Sequence, residues 1–393
     1  MPIDFLSIQH AIDGAAARMT EQEAALAQKR ERAQELLEEH SADVTRLRRA
    51  VEAASDADTH LRCAIPGDEP LRAAIGSDAR TTGSVVLAAD GSQIAPDRHA
   101  AVLFALINIG AVVMRTGSGA APEVHTFSEL LTGEQLETDE AMLSEDRLAL
   151  ERDTLERSRL SELAKNIAAP AIVLTDGPLE LWGEEGAGYK KAVEAHLGSL
   201  SRLQAAEATA AGYVDRPGAD LVVRMLELSL ADLKDREVLR KFRPLRGVSD
   251  RWLFGFRNSK FQLLQPGERS AVFGLQSSSS RRYTGALSLH FFYLNVGDAG
   301  HPYPVRVEVP RWVAQSHEKL DVLQAVLVEQ CQVMGTRPYP YILHRAHETA
   351  VVSLDEKRQL ETRLMQEMMR RGYEPDTVSS KQSAKDLAGR TRM

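Results

Sequence analysis

Asp90 and Asp176 each close a short apolar run and are each followed by glycine, in SVVLAADGS and AIVLTDGP. A carboxylate at the C-terminal end of a buried strand stands where open α/β sheets collect their ligands. Its oxygens suit hard divalent cations such as Mg²⁺ or Mn²⁺. Asp-Gly is also an ordinary turn pair, so each copy has a plain structural reading beside the metal one. Two copies after similar runs favour the metal.

Between them, Glu151 has Leu148 three residues before it and Leu155 four after. Helical geometry then sets this carboxylate on an apolar stripe, where it needs a partner, a proton or a metal. Glu156 sits among Arg152, Asp153 and Arg159, and reads as exposed. Near the C-terminus, YPYILHRAHE holds Tyr339, His344, His347 and Glu348 within ten residues. The spacing is not HExxH, so no zinc-peptidase helix is indicated, and either histidine has an ordinary core reading.

A further signal is electrostatic. From residue 240 to 282 there are ten basic side chains against two acidic ones, a local +8 in a chain of net charge -8, so the remainder carries -16. Clustered Lys and Arg on an acidic body suit a protein that meets a polyanion at one place, and a solvated charged face is the plainer alternative. Trp252, Phe254, Phe256 and Phe261 interleave these charges. They fit base stacking or buried strand positions equally well.

The elements that must position these groups read as α/β. Residues 84–90, 100–115, 123–127 and 171–176 have strand texture, and residues 139–168 read as a long helix between them. Helices are expected over 188–211, 220–239, 315–334 and 354–371, with strands between 247 and 310. Residues 14–60, without Pro or Gly after Gly14, read as one long helix with a heptad-like seam through Leu26, Ala33, Leu37, Leu47 and Val51. This is a coiled-coil-like arm that packs on a partner helix or a second copy. The boundaries expected are 1–76 for the arm and linker, 77–372 for the main domain, and 373–393 for a polar, disordered tail.

With 393 residues, 43% hydrophobic and 26% charged, the composition excludes fibrous and disordered classes. No apolar run reaches the length of a membrane span and no secretory leader is visible, so a cytoplasmic protein is expected. Cys63 and Cys331 form no metal-binding pattern, which agrees with a reducing compartment.

Several blocks, in order, resemble the NurA nucleases: VVLAADGS, IVLTDGPLELW, AGYVDRPGADLVVRMLEL, PGERSAVFGL, PVRVEVP and RPYPYILHRAHETA. The resemblance runs from about residue 84 to 372. It implies an RNase H-like core with a mixed central sheet and flanking helices. It also implies a metal-dependent DNA nuclease, a single-strand endonuclease and 5′-3′ exonuclease that resects double-strand breaks in DNA repair. Position by position, it carries the metal ligands onto Asp90, Glu151, Asp176 and His347, and a further catalytic role onto Tyr339. Two Mn²⁺ ions, or Mg²⁺, are implied. The family's lysine falls on Arg257 or Lys260, and Arg281 and Arg282 complete the expected nucleic-acid contacts. A homodimer partnered by a hexameric HerA translocase is implied as well. The chain has no GxxxxGK[ST] motif, so any motor must be a separate protein. The competing expectation is a non-catalytic coiled-coil scaffold that binds DNA or a motor without cutting.

Overall fold

A computed structural model describes residues 4–136, 143–167, 170–183, 186–255 and 263–372. In chain order the elements are α1 (Gln9–Glu39), α2 (Thr45–Ala57), β1 (Cys63–Ile65), β2 (Val85–Ile94), β3 (Ala105–Arg115), β4 (Glu123–Leu131), α3 (Glu145–Ala164), β5 (Ala171–Asp176) and α4 (Ala187–Ala205). They continue as β6 (Thr209–Val214), α5 (Leu221–Leu228), α6 (Arg236–Lys241), α7 (Arg251–Gly255), β7 (Phe273–Gln276), β8 (Leu289–Asn295), β9 (Pro304–Pro310), α8 (Arg311–Ala314), α9 (His317–Val333), α10 (Tyr341–Ala350) and α11 (Leu354–Arg370). The chain is therefore mixed α/β, as expected.

The residues divide into two compact units. One comprises residues 81–176, 181–210 and 340–393. Its strands are ordered β4-β3-β2-β5. The first three form antiparallel ladders, and β5 joins β2 in parallel. A parallel pair needs a crossover, and α3 supplies it. The central strands β2 and β3 are apolar almost throughout because α10 and α3 both pack on them, whereas β4 is mostly exposed. Helix α3 starts cleanly: Ser144 Oγ accepts from Arg147 N, and Glu145 and Asp146 occupy the first turn. Leu360 and Leu364 of α11 pack on Ile94, Phe104 and Leu106.

The other unit holds residues 1–80, 177–180 and 211–339. Its strands are ordered β1-β7-β8-β9-β6, with antiparallel pairing throughout. Asp250, fully buried, ties it together by accepting from Val222 N, Val223 N and the Tyr293 hydroxyl.

Two expectations of helix extent are corrected here. The single helix over residues 14–60 is two helices, because Asp43 Oδ1 takes the N–H of Thr45 and restarts the chain as α2. Residues 1–80 group with unit-forming strands, α2 packing on α5 and α6, and the seam is buried only at its C-terminal end, at Ala33, Leu37, Leu47 and Val51. Residues 220–239 are likewise two helices, separated around Asp235, whose carboxylate caps α6. The tail expected to be disordered, 373–393, lies outside the described residues.

Candidate metal and nuclease site

Strand β2 does not stop at Gly91 but runs on to Ile94 against β3. What ends there is the parallel ladder: its last pair is Ala89 with Thr175. Asp90 and Asp176 are the next residues along their strands, and neighbouring strands of a sheet are spaced about 4.8 Å apart. Two residues 86 positions apart in the chain are thus each one residue past the last pair of the same ladder.

His347 joins them. Its Nδ1 lies 2.6 Å from Asp90 Oδ2, although most of the imidazole stays in solvent. The contact depends on how closely α10 approaches the sheet. Gly110 is directly opposite Asp90 in the β2–β3 register, and a β-carbon there would lie 2.5 Å from Ala350 N. The end of α10 is then fastened by Asn108 Nδ2 and Ser92 Oγ, which donate to the Ala350 carbonyl at 2.8 and 2.5 Å. Gly110→Val is expected to lift α10, separate His347 from Asp90, and cost roughly 1–3 kcal/mol, checked by urea unfolding and by a crystal structure of the variant.

Glutamate placement on α3 reverses the sequence expectation. Glu151 is half-exposed and pairs with Arg147 at 3.1 Å. Glu156 is the buried one, 8% exposed. Its Oε1 rests against Gly91, where a β-carbon would come within 2.6 Å, and Arg152 Nε lies 3.3 Å away. Burial pushes the Glu156 carboxyl up to about 8; nearby Asp153 and Asp90 add to this, and Arg157 and Arg152 oppose it. The legible signal was periodicity: Leu148, Glu156, Leu160 and Ala164 repeat at multiples of four and are all buried, whereas Leu155 is only half-buried.

Tyr339 belongs to the other unit, where its ring meets Tyr213 edge-on at 5.6 Å. His344 pairs with Glu348 at 3.4 Å.

Three basic side chains of the 240–282 stretch, Lys241, Arg243 and Arg269, have acidic partners. Arg269, 1% exposed, places both Nη groups 2.9 Å from the Glu69 carboxylate. Arg243 bridges Glu227 and Asp220, and Lys241 pairs with Glu237. Phe254 is buried and stacks on Tyr293 at 4.6 Å, and the Arg30 guanidinium covers Trp252. For these two aromatics, packing accounts for the pattern. Arg281 is exposed and donates to Ser55 Oγ, and Arg282 is half-buried. Arg257 and Lys260, with Phe256 and Phe261, lie outside the described residues.

Among the described residues, no three His, Cys, Asp or Glu side chains are gathered closely enough to enclose a metal. Donors of suitable chemistry are nevertheless adjacent, in pairs occupied by a proton or an arginine: Asp90 with His347, Glu156 with Arg152. Carboxylate oxygens and one imidazole nitrogen are the donor set of Mn²⁺ or Mg²⁺ sites. A buried carboxyl held protonated beside another acid is the arrangement a cation relieves.

The NurA domain family matches residues 84–352, more than half of the chain. The chain belongs to the NurA family. Among solved structures, the NurA nuclease from Sulfolobus solfataricus is similar at 11% identity, covering 76% of this chain and 86% of that one with a TM-score of 0.46. The catalytic domain of human Endonuclease V is similar at 14% identity, covering 80% and 96% with a TM-score of 0.32. Ciona intestinalis Endonuclease V, bound to DNA, is similar at 14% identity, covering 79% and 95% with a TM-score of 0.28. No curated protein matches the chain. No described helix is long and apolar enough to cross a membrane.

Proposed function

We propose that this chain is a divalent-metal-dependent deoxyribonuclease built on an RNase H-like core. What supports the reading is that Asp90 and Asp176 directly follow the last pair of the β2–β5 ladder, inside the segment matched by the NurA family. Asp90, Asp176 and Glu156 would hold the cation, with Glu156 in place of Glu151. Divalent ions held there would supply an activated water and a counter-charge for the leaving oxygen.

The protein's own contribution is positional. Asp90 orients the His347 ring through Nδ1, which leaves Nε2 for a proton or a second oxygen partner. Gly91 and Gly110 let α3 and α10 come close enough to bring Glu156 and His347 to Asp90. The DNA polarity, the HerA-type motor, a homodimer and a cytoplasmic setting for double-strand-break repair are proposals that follow from family membership.

Purified protein incubated with labelled single-stranded DNA is expected to cut it in Mn²⁺ or Mg²⁺ and to leave it intact in EDTA. Equal product in EDTA, or none with either ion, overturns this reading.

A further inference from the structure

The loop after β6 holds an arginine in a conformation that arginine rarely takes. Arg216 has a φ of 44° and directly precedes Pro217, whose ring further restricts the residue before it. Such backbone persists only where its surroundings enforce it, and it concentrates at working sites. Here the enforcing contacts are visible. Pro217 is buried. The Tyr303 hydroxyl donates to Asp215 Oδ1 at 2.8 Å, and the same oxygen accepts from Arg216 Nε at 3.1 Å. The guanidinium carbon lies 5.9 Å from the Tyr303 ring centroid.

The Tyr303 hydroxyl lies between the two neighbouring charges and bonds to both. Among the described residues Arg216 has no ion pair with a carboxylate, whereas the buried or half-buried Arg243, Arg269 and Arg306 are each held by acidic partners. Arg216 is instead exposed, with its Nε anchored. A planar guanidinium fixed at one nitrogen and open at the other two suits bidentate contact with a phosphate.

We propose that Arg216 binds a backbone phosphate of single-stranded DNA, with Tyr303 and Asp215 as the residues that position it. The proposal rests on the nuclease reading and adds to it a nucleic-acid contact outside the basic stretch of residues 240–282. Being a phosphate contact, it carries no base preference.

The test is fluorescence anisotropy of a labelled oligothymidylate with the full chain, in EDTA, over a range of salt. Arg216→Gly is the informative variant, because glycine takes the left-handed conformation without strain and keeps the loop folded. Its affinity is expected to fall by roughly threefold to tenfold, and its log–log salt slope by about 0.7, the value for one single-strand phosphate. Its melting temperature is expected to hold or rise. Tyr303→Phe keeps the charge but not the anchor, so it is expected to weaken binding by less and to preserve the slope. Arg216→Lys is expected not to restore wild-type affinity, since lysine has no fork.

Wild-type affinity and slope in Arg216→Gly would overturn this inference alone. Failure of the wild-type chain to bind the oligonucleotide would also overturn this inference, whereas the nuclease reading stands or falls separately on cleavage in Mn²⁺ or Mg²⁺.

Discussion

Asp90→Asn and Asp176→Asn are each expected to lower metal-dependent cleavage of single-stranded DNA by at least about a hundredfold while leaving the fold intact. Outer-shell partners of a metal already cost 10- to 100-fold when removed, and the proposed site has these two carboxylates touch the ion itself. Asparagine keeps the size and one carbonyl oxygen of each side chain and removes only the charge. The strand hydrogen bonds are made by backbone groups, so neither side-chain substitution removes one. Melting temperatures within a few degrees of wild type, beside lost cleavage, would separate a chemical role from a structural one. Undiminished cleavage in both variants would remove the site.

The second large effect concerns Glu156, and its sign depends on the metal. Without metal, burial holds this carboxyl at about 8, above its ordinary value of 4.5. The unfolded chain then releases a proton that the folded chain keeps. The stability contributed by the neutral carboxyl is complete below about pH 4.5 and is lost as pH rises through about 8, at up to ~1.4 kcal/mol per pH unit. In EDTA, wild-type stability should therefore fall between pH 5 and pH 8. Glu156→Gln, which carries no ionisable group, should flatten that decline.

With Mn²⁺ present the order reverses. Binding to the ionised carboxylate releases a proton, so affinity should strengthen as pH approaches 8, and Glu156→Gln should bind the ion weakly and cut poorly. Glu151→Gln should change stability by no more than about 0.5 kcal/mol, because its pair with Arg147 is solvent-exposed. Urea unfolding in EDTA at both pH values, with calorimetric Mn²⁺ titration, measures both halves. A Glu151→Gln defect larger than that of Glu156→Gln would show that the buried residue is not the ligand.

What was legible in the sequence was whatever local pattern governs. Apolar runs ending in Asp-Gly marked two strands and their carboxylates, because burial on both faces of a sheet leaves a continuous hydrophobic trace. That the two strands are neighbours was not legible, since pairing is decided by contacts distant along the chain. The α3 error has a similar origin. Glu151 was judged from its two nearest leucines, but the face that meets the sheet is defined over five turns by Leu148, Leu160 and Ala164, and Glu156 lies on it.

The basic stretch shows another limit of a sequence pattern. Charge counting cannot distinguish an arginine in solvent from Arg269, which is buried against Glu69 about 200 residues away. Nor does spacing reveal Gly91 and Gly110 as access points for helices, because a close approach belongs to the fold. Strain at Arg216 is likewise invisible until dihedral angles exist.

Anomalous diffraction from crystals grown with Mn²⁺ tests the central claim most directly. A peak in contact with the carboxylates of Asp90 and Asp176, with Glu156 turned toward it, is the predicted result. Manganese bound only elsewhere, for instance along the acidic groove of Glu31, Glu35 and Glu38, with Asp90 still joined to His347 alone, would contradict the account.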